Sequence, residues 1–265
     1  TGSVLLTSTG VASDLTLSNG AFLTSTAAGN AITLAAGRHF INQSNGSALF
    51  TPNGRWLVYS DAPADTVLGG LTGFKRYNLS YSASSSSSIS QPGNGFVYSI
   101  APVLNIAANS KSRIYGDINP ALDGIITGLI DGDTLAAATS GSATYSTAAT
   151  TSNGVGAYAI QADLGTLQSA MGYQFSTQNG TLGIDPRAIT VAAESKSKVY
   201  GNVDPTLTYS VSSGNLVNGD TLGGVLTRTA GENVGSYSID ASALQNGNYL
   251  ITAQNGTLGI DPRAI

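Results

Sequence analysis

No cysteine occurs anywhere in the 265 residues. Disulfides and thiolate metal sites are therefore excluded as sources of stability or chemistry. Charge is nearly as scarce: Asp, Glu, Lys and Arg make up 10% of the chain, against roughly 25% in an ordinary soluble domain. The 11 Lys and Arg are scattered and the net charge is −4, so no basic stripe exists to neutralise nucleic-acid phosphates. No apolar run approaches the roughly 20 residues of a membrane-spanning helix. The single histidine, His39, has neither a triad nor a metal set beside it in sequence and reads as structural. With only two glutamates, Glu194 and Glu232, a pair of carboxylates for glycoside chemistry would have to be aspartates. Most of those sit in turn or cap contexts, as in Asp133-Thr134, Asp185-Pro186 and Asp204-Pro205. Gly69-Gly70 with Gly73 lacks the strand-to-helix surroundings of a phosphate loop. These absences point away from an enzyme.

What the chain does have is 41% hydrophobic residues and 33 glycines, set among Ser, Thr, Asn and Ala. The apolar residues fall in patterned runs, which predicts a folded chain and not a disordered one. The second half repeats itself. Ser110–Pro120 (SKSRIYGDINP) matches Ser195–Pro205 (SKSKVYGNVDP), and Gly132–Leu135 matches Gly219–Leu222. Asn153–Ile160 matches Glu232–Ile239, and Gln178–Ile189 (QNGTLGIDPRAI) recurs unchanged at Gln254–Ile265. The offset falls from 85 (200 minus 115) to 76 (265 minus 189), so the first copy carries about nine extra residues, mostly within 136–151. Length variation confined to one place marks a surface loop.

Each copy alternates apolar and polar residues, as in Ile189-Thr190-Val191, Leu207–Val211, Tyr237–Asp240 and Leu258–Asp261. Period two puts one face on a core and the other in water, so the copies read as β modules. The alternation fits a β-grasp and a small sandwich alike. Asn179-Gly180 and Asn255-Gly256 predict tight hairpins, because Asn-Gly suits the left-handed dihedrals of a type I′ turn. Gly219–Leu222 predicts one helical turn with Asp220 as its N-cap. Asp185-Pro186 and Asp261-Pro262 close the modules with stiff joints, which implies an end-to-end string adding on the order of 30 Å per copy.

The first hundred residues lack the repeat. Short apolar runs at Val4–Leu6, Leu15–Leu17, Ala21–Leu23, Ile32–Leu34, Phe40-Ile41 and Ala48–Phe50 fit the coils of a right-handed parallel β-helix, with an ordinary antiparallel sheet as the alternative. The segment Gly54–Ser60, with the sole tryptophan Trp56, and the following Phe74–Tyr77 then read as an aromatic cap over the last coil. Ser82–Pro92 reads as a mobile linker. The expected organisation is all-β: a coil end and cap at 1–81, a linker and connecting strand at 82–103, and modules at 104–187 and 188–265. The start, Thr1-Gly2-Ser3, carries no signal peptide and reads as the interior of a longer chain or an expression remnant.

Two candidate sites emerge. Asp117, Asn119 and Asp123, with Asp131 and Asp133, place hard oxygen ligands at alternate positions, as calcium requires. Asx turns explain the same residues without an ion. Tyr158, Tyr209 and Tyr237 lie in phase with apolar neighbours and read as core. Tyr115 and Tyr200, each beside a turn glycine, are the better candidates for surface rings able to stack on a sugar, although a packed tyrosine is the reading favoured over a ligand platform.

The pattern Tyr-Gly-x-x-(Asp/Asn)-Pro, Gly-Asp-Thr-Leu, a later Gly-x-Tyr and Gly-Thr-Leu-x-Ile resembles the YGX-type MBG repeats of bacterial surface adhesins over about 104–265. The second copy fits closely, and the first departs at Asn119, where the usual acid sits. Gly54–Ser60 followed by Phe74–Asn78 resembles the end of the filamentous-haemagglutinin-like stalk of two-partner-secreted adhesins. The resemblance implies an extracellular or cell-surface location, adhesion, and biofilm or matrix interaction. It also implies partners: a surface polysaccharide or glycan, another adhesin copy, and an outer-membrane transporter for the parent protein. A cysteine-free chain suits passage unfolded across two membranes. The resemblance brings no conserved active site.

Overall fold

The computed structural model describes residues 2–8, 10, 12–81 and 88–264. The expected serine linker thus lies, over 82–87, outside the described residues. The chain is all-β, and its only α-helix among the described residues is the single turn Leu135–Ala138. It divides into two compact units. The first holds Thr1–Ala107, Ile125–Thr144 and Ala162–Gln178; the second holds Ala108–Gly124, Tyr145–Gln161 and Asn179–Ile265.

In the first unit, short strands stack in three parallel ladders. Val4–Thr7 lies beside Gly29–Ala35, which lies beside Gly54–Ser60. Leu15–Leu17 pairs with Phe40–Asn42, and Leu23–Thr24 with Leu49–Phe50. Partners such as Val4↔Ile32, Leu15↔Phe40 and Leu23↔Leu49 are 28, 25 and 26 residues apart by subtraction. Parallel strands cannot be joined by a tight hairpin, and here each strand pairs with the third one after it at a near-constant interval, which we call a coil. Ile32, Leu34, Phe40, Leu49, Trp56 and Val58 point into one core. Asn42, 1% exposed, is satisfied there: its Nδ2 donates to Asn45 O and Leu68 O at 3.0 Å, and its Oδ1 accepts from Ser44 N. A buried amide with its bonds made fixes a coil corner instead of destabilising it.

The tryptophan segment is not the cap. Gly54–Ser60 is itself a rung, paired parallel to the strand before it, because its own alternation buries Trp56 and Val58 inward. The sheet ends on Phe74–Arg76, and Gly95–Tyr98 inserts between that strand and Gly54–Ser60. The strand expected to be part of a linker therefore belongs to the coil sheet. Aromatic rings continue the core across these last strands. Trp56 meets Phe96 edge-on at 5.2 Å, Phe96 and Tyr98 stack at 6.3 Å, Tyr98 and Tyr77 at 5.6 Å, and Tyr77 meets Tyr173 at 5.0 Å. Leu104, Met171 and Phe175 pack on the same cluster, so residues of the first repeat continue this core.

Both repeats have the same pairing. In each, a three-stranded sheet centres on the first strand: Gly124–Thr127, Val103–Ala108 and Gln174–Gln178 in one, Tyr209–Ser213, Arg187–Ala193 and Tyr249–Gln254 in the other. A four-stranded sheet follows: Lys111–Ile114, Gly180–Asp185, Gly156–Asp163 and Thr144–Ser146, matched by Lys196–Val199, Gly256–Asp261, Gly235–Asp240 and Thr227–Arg228. An early and a late strand run parallel in both sheets. This mixed pairing differs from an all-antiparallel sandwich.

The Asn-Gly pairs do not make hairpins. Gln174–Gln178 and Gly180–Asp185 run in one direction, parallel to Val103–Ala108 and Lys111–Ile114, and Asn179 marks where the chain leaves one sheet for the next. Gly180 is needed for another reason. A Cβ there would lie 2.6 Å from Ala108 O and 3.0 Å from Asn109 O, and at Gly256 2.5 Å from Ala193 O. Two backbones approach at this crossing, and only glycine leaves room. The helical turn expected at Gly219–Leu222 does not form, and a helical turn begins at the end of the equivalent motif, Gly132–Leu135, in the first copy instead. Its N-cap is Thr134, whose Oγ1 accepts from Ala137 N at 3.3 Å, one residue after the expected aspartate.

Candidate functional site

The Gly-Asp motif of each repeat holds a tyrosine. Asp133 Oδ2 accepts from Tyr173 OH at 2.7 Å, and Asp220 Oδ2 accepts from Tyr249 OH at 2.8 Å. The same phenol oxygens accept backbone N–H groups, from Ile130 at 3.2 Å and from Val217 at 2.9 Å. Each loop is thereby pinned to its three-stranded sheet. Asp131 (φ 51°) and Asn218 (φ 55°) take left-handed backbone at the turn, which these two side chains tolerate best among non-glycine residues. Burial, and then the Asp133 carboxylate, push the Tyr173 phenol up to about 12. We refer to this loop, sheet edge and tyrosine as the head of a module.

The other end of a module, its tail, carries the Tyr-Gly motif. In the first repeat the tail lies against the head of the second, within one compact unit. Tyr115 is 2% exposed and meets Tyr249 edge-on at 5.6 Å. Gly116 (φ 84°) sits so close to Val217 that a Cβ would lie 2.4 Å from its Cγ2. Val155 N donates to Asn248 Oδ1 at 3.0 Å, and Asn218 Nδ2 donates to Thr151 O at 3.3 Å. Arg187 clamps the Tyr-Gly turn: its Nε donates to Tyr115 O at 2.8 Å and its Nη2 pairs with Asp117.

This placement corrects the reading of Tyr115 as a surface ring, because the next module covers it. Tyr200 is 45% exposed, as expected. Tyr158, Tyr209 and Tyr237 pack at the core edge, and Tyr158 OH and Tyr237 OH each donate four residues back, to Gly154 O and Asn233 O at 2.9 Å.

The proposed calcium ligands are not brought together. Asp117 takes Arg187; Asn119 accepts from Arg113 Nε at 2.8 Å; Asp123 takes Lys111 at 2.8 Å and Asn109 Nδ2 at 2.7 Å. Asp131 and Asp133, in the other compact unit, share Lys75 at 2.7 and 3.0 Å. Among the described residues no three His, Cys, Asp or Glu side chains converge as metal ligands. Cationic and amide donors inside the fold occupy the oxygens that an ion would need.

Where the first repeat has Arg113 and the neutral Asn119, the second has Lys198 and Asp204, joined by Arg228 and Glu232. Lys198 Nζ lies 2.6 Å from Asp204 and 2.5 Å from Glu232, and Arg228 meets the same two acids at 2.6 and 2.5 Å. Arg228 and then Lys198 hold Asp204 below the usual carboxylate range, and Lys198 and then Arg228 do so for Glu232. A depressed folded-state carboxylate stabilises above its unfolded value of about 4 and loses that contribution as pH falls through the folded value. Hydrogen-exchange protection of 196–199 and 235–240 is thus expected to fall more between pH 7 and pH 3 than that of 111–114 and 156–160. Equal losses in the two segments would contradict the ionic account.

A comparison with curated proteins returned no match. The family described as MBG domain (YGX type) matches at residues 104–183 and 189–259, more than half of the chain. The two matches fall on the two copies of one topology, each with its Tyr-Gly tail and Gly-Asp head, and the chain belongs to the YGX-type MBG domain family.

Proposed function

We propose that the chain is a non-catalytic, extracellular length of a bacterial surface adhesin, in which the coil region ends a β-helix stalk and the MBG modules extend it. Its task is to carry adhesive contact with cells or biofilm matrix away from the cell, with no ligand of its own. The observation that supports this is the joint: Tyr115, one of the two rings read from the sequence as able to meet a sugar, is spent on packing against the next module. The likeness of 54–78 to the stalk ends of two-partner-secreted adhesins supports delivery through an outer-membrane transporter.

Two measurements test this reading. Antibodies against the 265-residue chain are expected to label intact cells that make the parent protein. Labelling that appears only after lysis would overturn the surface location. The intact chain on an array of bacterial and host glycans, with and without calcium, is expected to show no saturable binding. Saturable binding would replace the spacer with a lectin.

A further inference from the structure

We propose that Tyr200, Gly201, Asn233, Val234, Pro262 and Arg263 form a docking surface for the head of another MBG module. The residues are the register equivalents of the tail already seen in use. Tyr115, Gly116 and Asp117 correspond to Tyr200, Gly201 and Asn202, Val155 to Val234, and Arg187 to Arg263. The internal clamp is built the same way in both. Arg263 Nε donates to Tyr200 O at 2.8 Å, as Arg187 Nε does to Tyr115 O, and Arg263 Nη2 donates to Asn202 Oδ1 at 2.6 Å where Arg187 meets Asp117. Gly201 keeps the positive φ of Gly116, 87° against 84°. What differs is cover: Tyr115 is 2% exposed and Tyr200 45%. Tyr200, Asn233, Val234, Pro262 and Arg263 line one open depression.

The occupant follows from the joint in hand. It offers a valine in the place of Val217 to fill the space over the glycine, a tyrosine edge in the place of Tyr249, and an amide oxygen in the place of Asn248. Neither head in this chain is free to supply these to a second copy. The second repeat's head carries Tyr115, and the first repeat's Asp133 and Tyr173 are engaged by Lys75 and Tyr77. The surface is therefore specific for a module head beyond the two described, and the 265-residue chain is expected to sediment as a monomer.

The test uses the identity of Arg187-Ala188-Ile189 and Arg263-Ala264-Ile265, which lets a copy of 190–265 carrying Tyr200→Phe, so that only the original Tyr200 remains, be appended after Ile265 in register. Tyrosine nitration is then followed residue by residue by mass spectrometry. Tyr200 is expected to react at least about tenfold more slowly in the extended chain than in the original, because docking makes its exposure an opening event. Val217→Asp in the appended copy alone is expected to restore its reactivity. Unchanged Tyr200 reactivity, with the appended module folded by far-UV circular dichroism and by protection of its own Tyr249, overturns the proposal. Self-association of the original chain that Tyr200→Ala abolishes, or glycan binding that it abolishes, would also overturn it, by naming a different occupant.

Discussion

Asp133→Ala is expected to lower the stability of the coil-bearing unit by about 3 to 5 kcal/mol, the usual consequence of removing one partner from a buried ionic network. The carboxylate is 6% exposed and takes three donors: Lys75 Nζ at 3.0 Å, Tyr77 OH at 2.6 Å and Tyr173 OH at 2.7 Å. Alanine leaves two phenols with unmet donors next to an aromatic core and leaves Lys75 with Asp131 as its remaining acid. Trp56, the sole tryptophan, sits in that core and reports on this unit by fluorescence during urea unfolding. Tyr173→Phe removes two bonds, one to Asp133 and one from Ile130 N, and is expected to cost about 1 to 2 kcal/mol. A shift below about 1 kcal/mol for Asp133→Ala would mean that solvent compensates the lost acceptor, and the network would not be what ties the first module's head to the coils.

The second large effect is at the crossing glycines. Gly256→Ala is expected to cost about 3 kcal/mol or more, because the new methyl meets backbone and not a side chain that can swing away. Its Cβ would lie 2.5 Å from Ala193 O, 3.0 Å from Ala193 C and 3.2 Å from Glu194 C. The strands must then part, and the parallel pairs Val191↔Ala253, Ala192↔Gln254 and Lys196↔Leu258 flank the gap. Gly180→Ala should behave alike in the first repeat, with Ala108 O at 2.6 Å. Gly247→Ala is the control: nothing lies within 4 Å of its Cβ, and a surface change of this kind is expected within about 0.5 kcal/mol. Thermal unfolding followed by far-UV circular dichroism separates the two. Similar midpoints for Gly256→Ala and Gly247→Ala would remove close approach as the reason for the glycine.

Much of the architecture was legible because period and repetition are properties of one strand or one copy. The four matched blocks marked two modules, and strands formed where alternation was read, as at Arg187–Ala193, Gly235–Asp240 and Gly256–Asp261. Four of the short early runs are strands or lie within them, Ala48–Phe50 enters its strand at Leu49, and Ala21–Leu23 starts a strand at its last residue. The misreadings share one cause: they asked a local pattern to decide a long-range question. Asn179-Gly180 has the composition of a hairpin, but Ala108 passes over it from 72 residues earlier (180 minus 108). Trp56 looked like a lid because it is bulky, although Val58, two residues on and in phase with it, carries the same inward face. Tyr115 looked exposed because a copy was read alone, when its surroundings belong to the next copy. The signal that could have found the joint was present in the unchanged Asp-Pro-Arg-Ala-Ile block. An arginine kept at 187 and 263, in a chain with so few charges, marks a place where a guanidinium has work to do.

The compact units and the sequence repeats are out of phase. The three-stranded sheet of the first repeat belongs with the coils, while its four-stranded sheet belongs with the second repeat. The junction between the two repeats is therefore a tail meeting a head. Recombination that adds or deletes one full period between identical Gln178–Ile189 and Gln254–Ile265 segments would regenerate the same junction and expose no new apolar face. Crossovers at any other spacing would separate a head from its tail. The gene can thus vary the number of modules in whole steps at little cost in folding, and natural lengths of such arrays are expected to be quantised in units of one repeat.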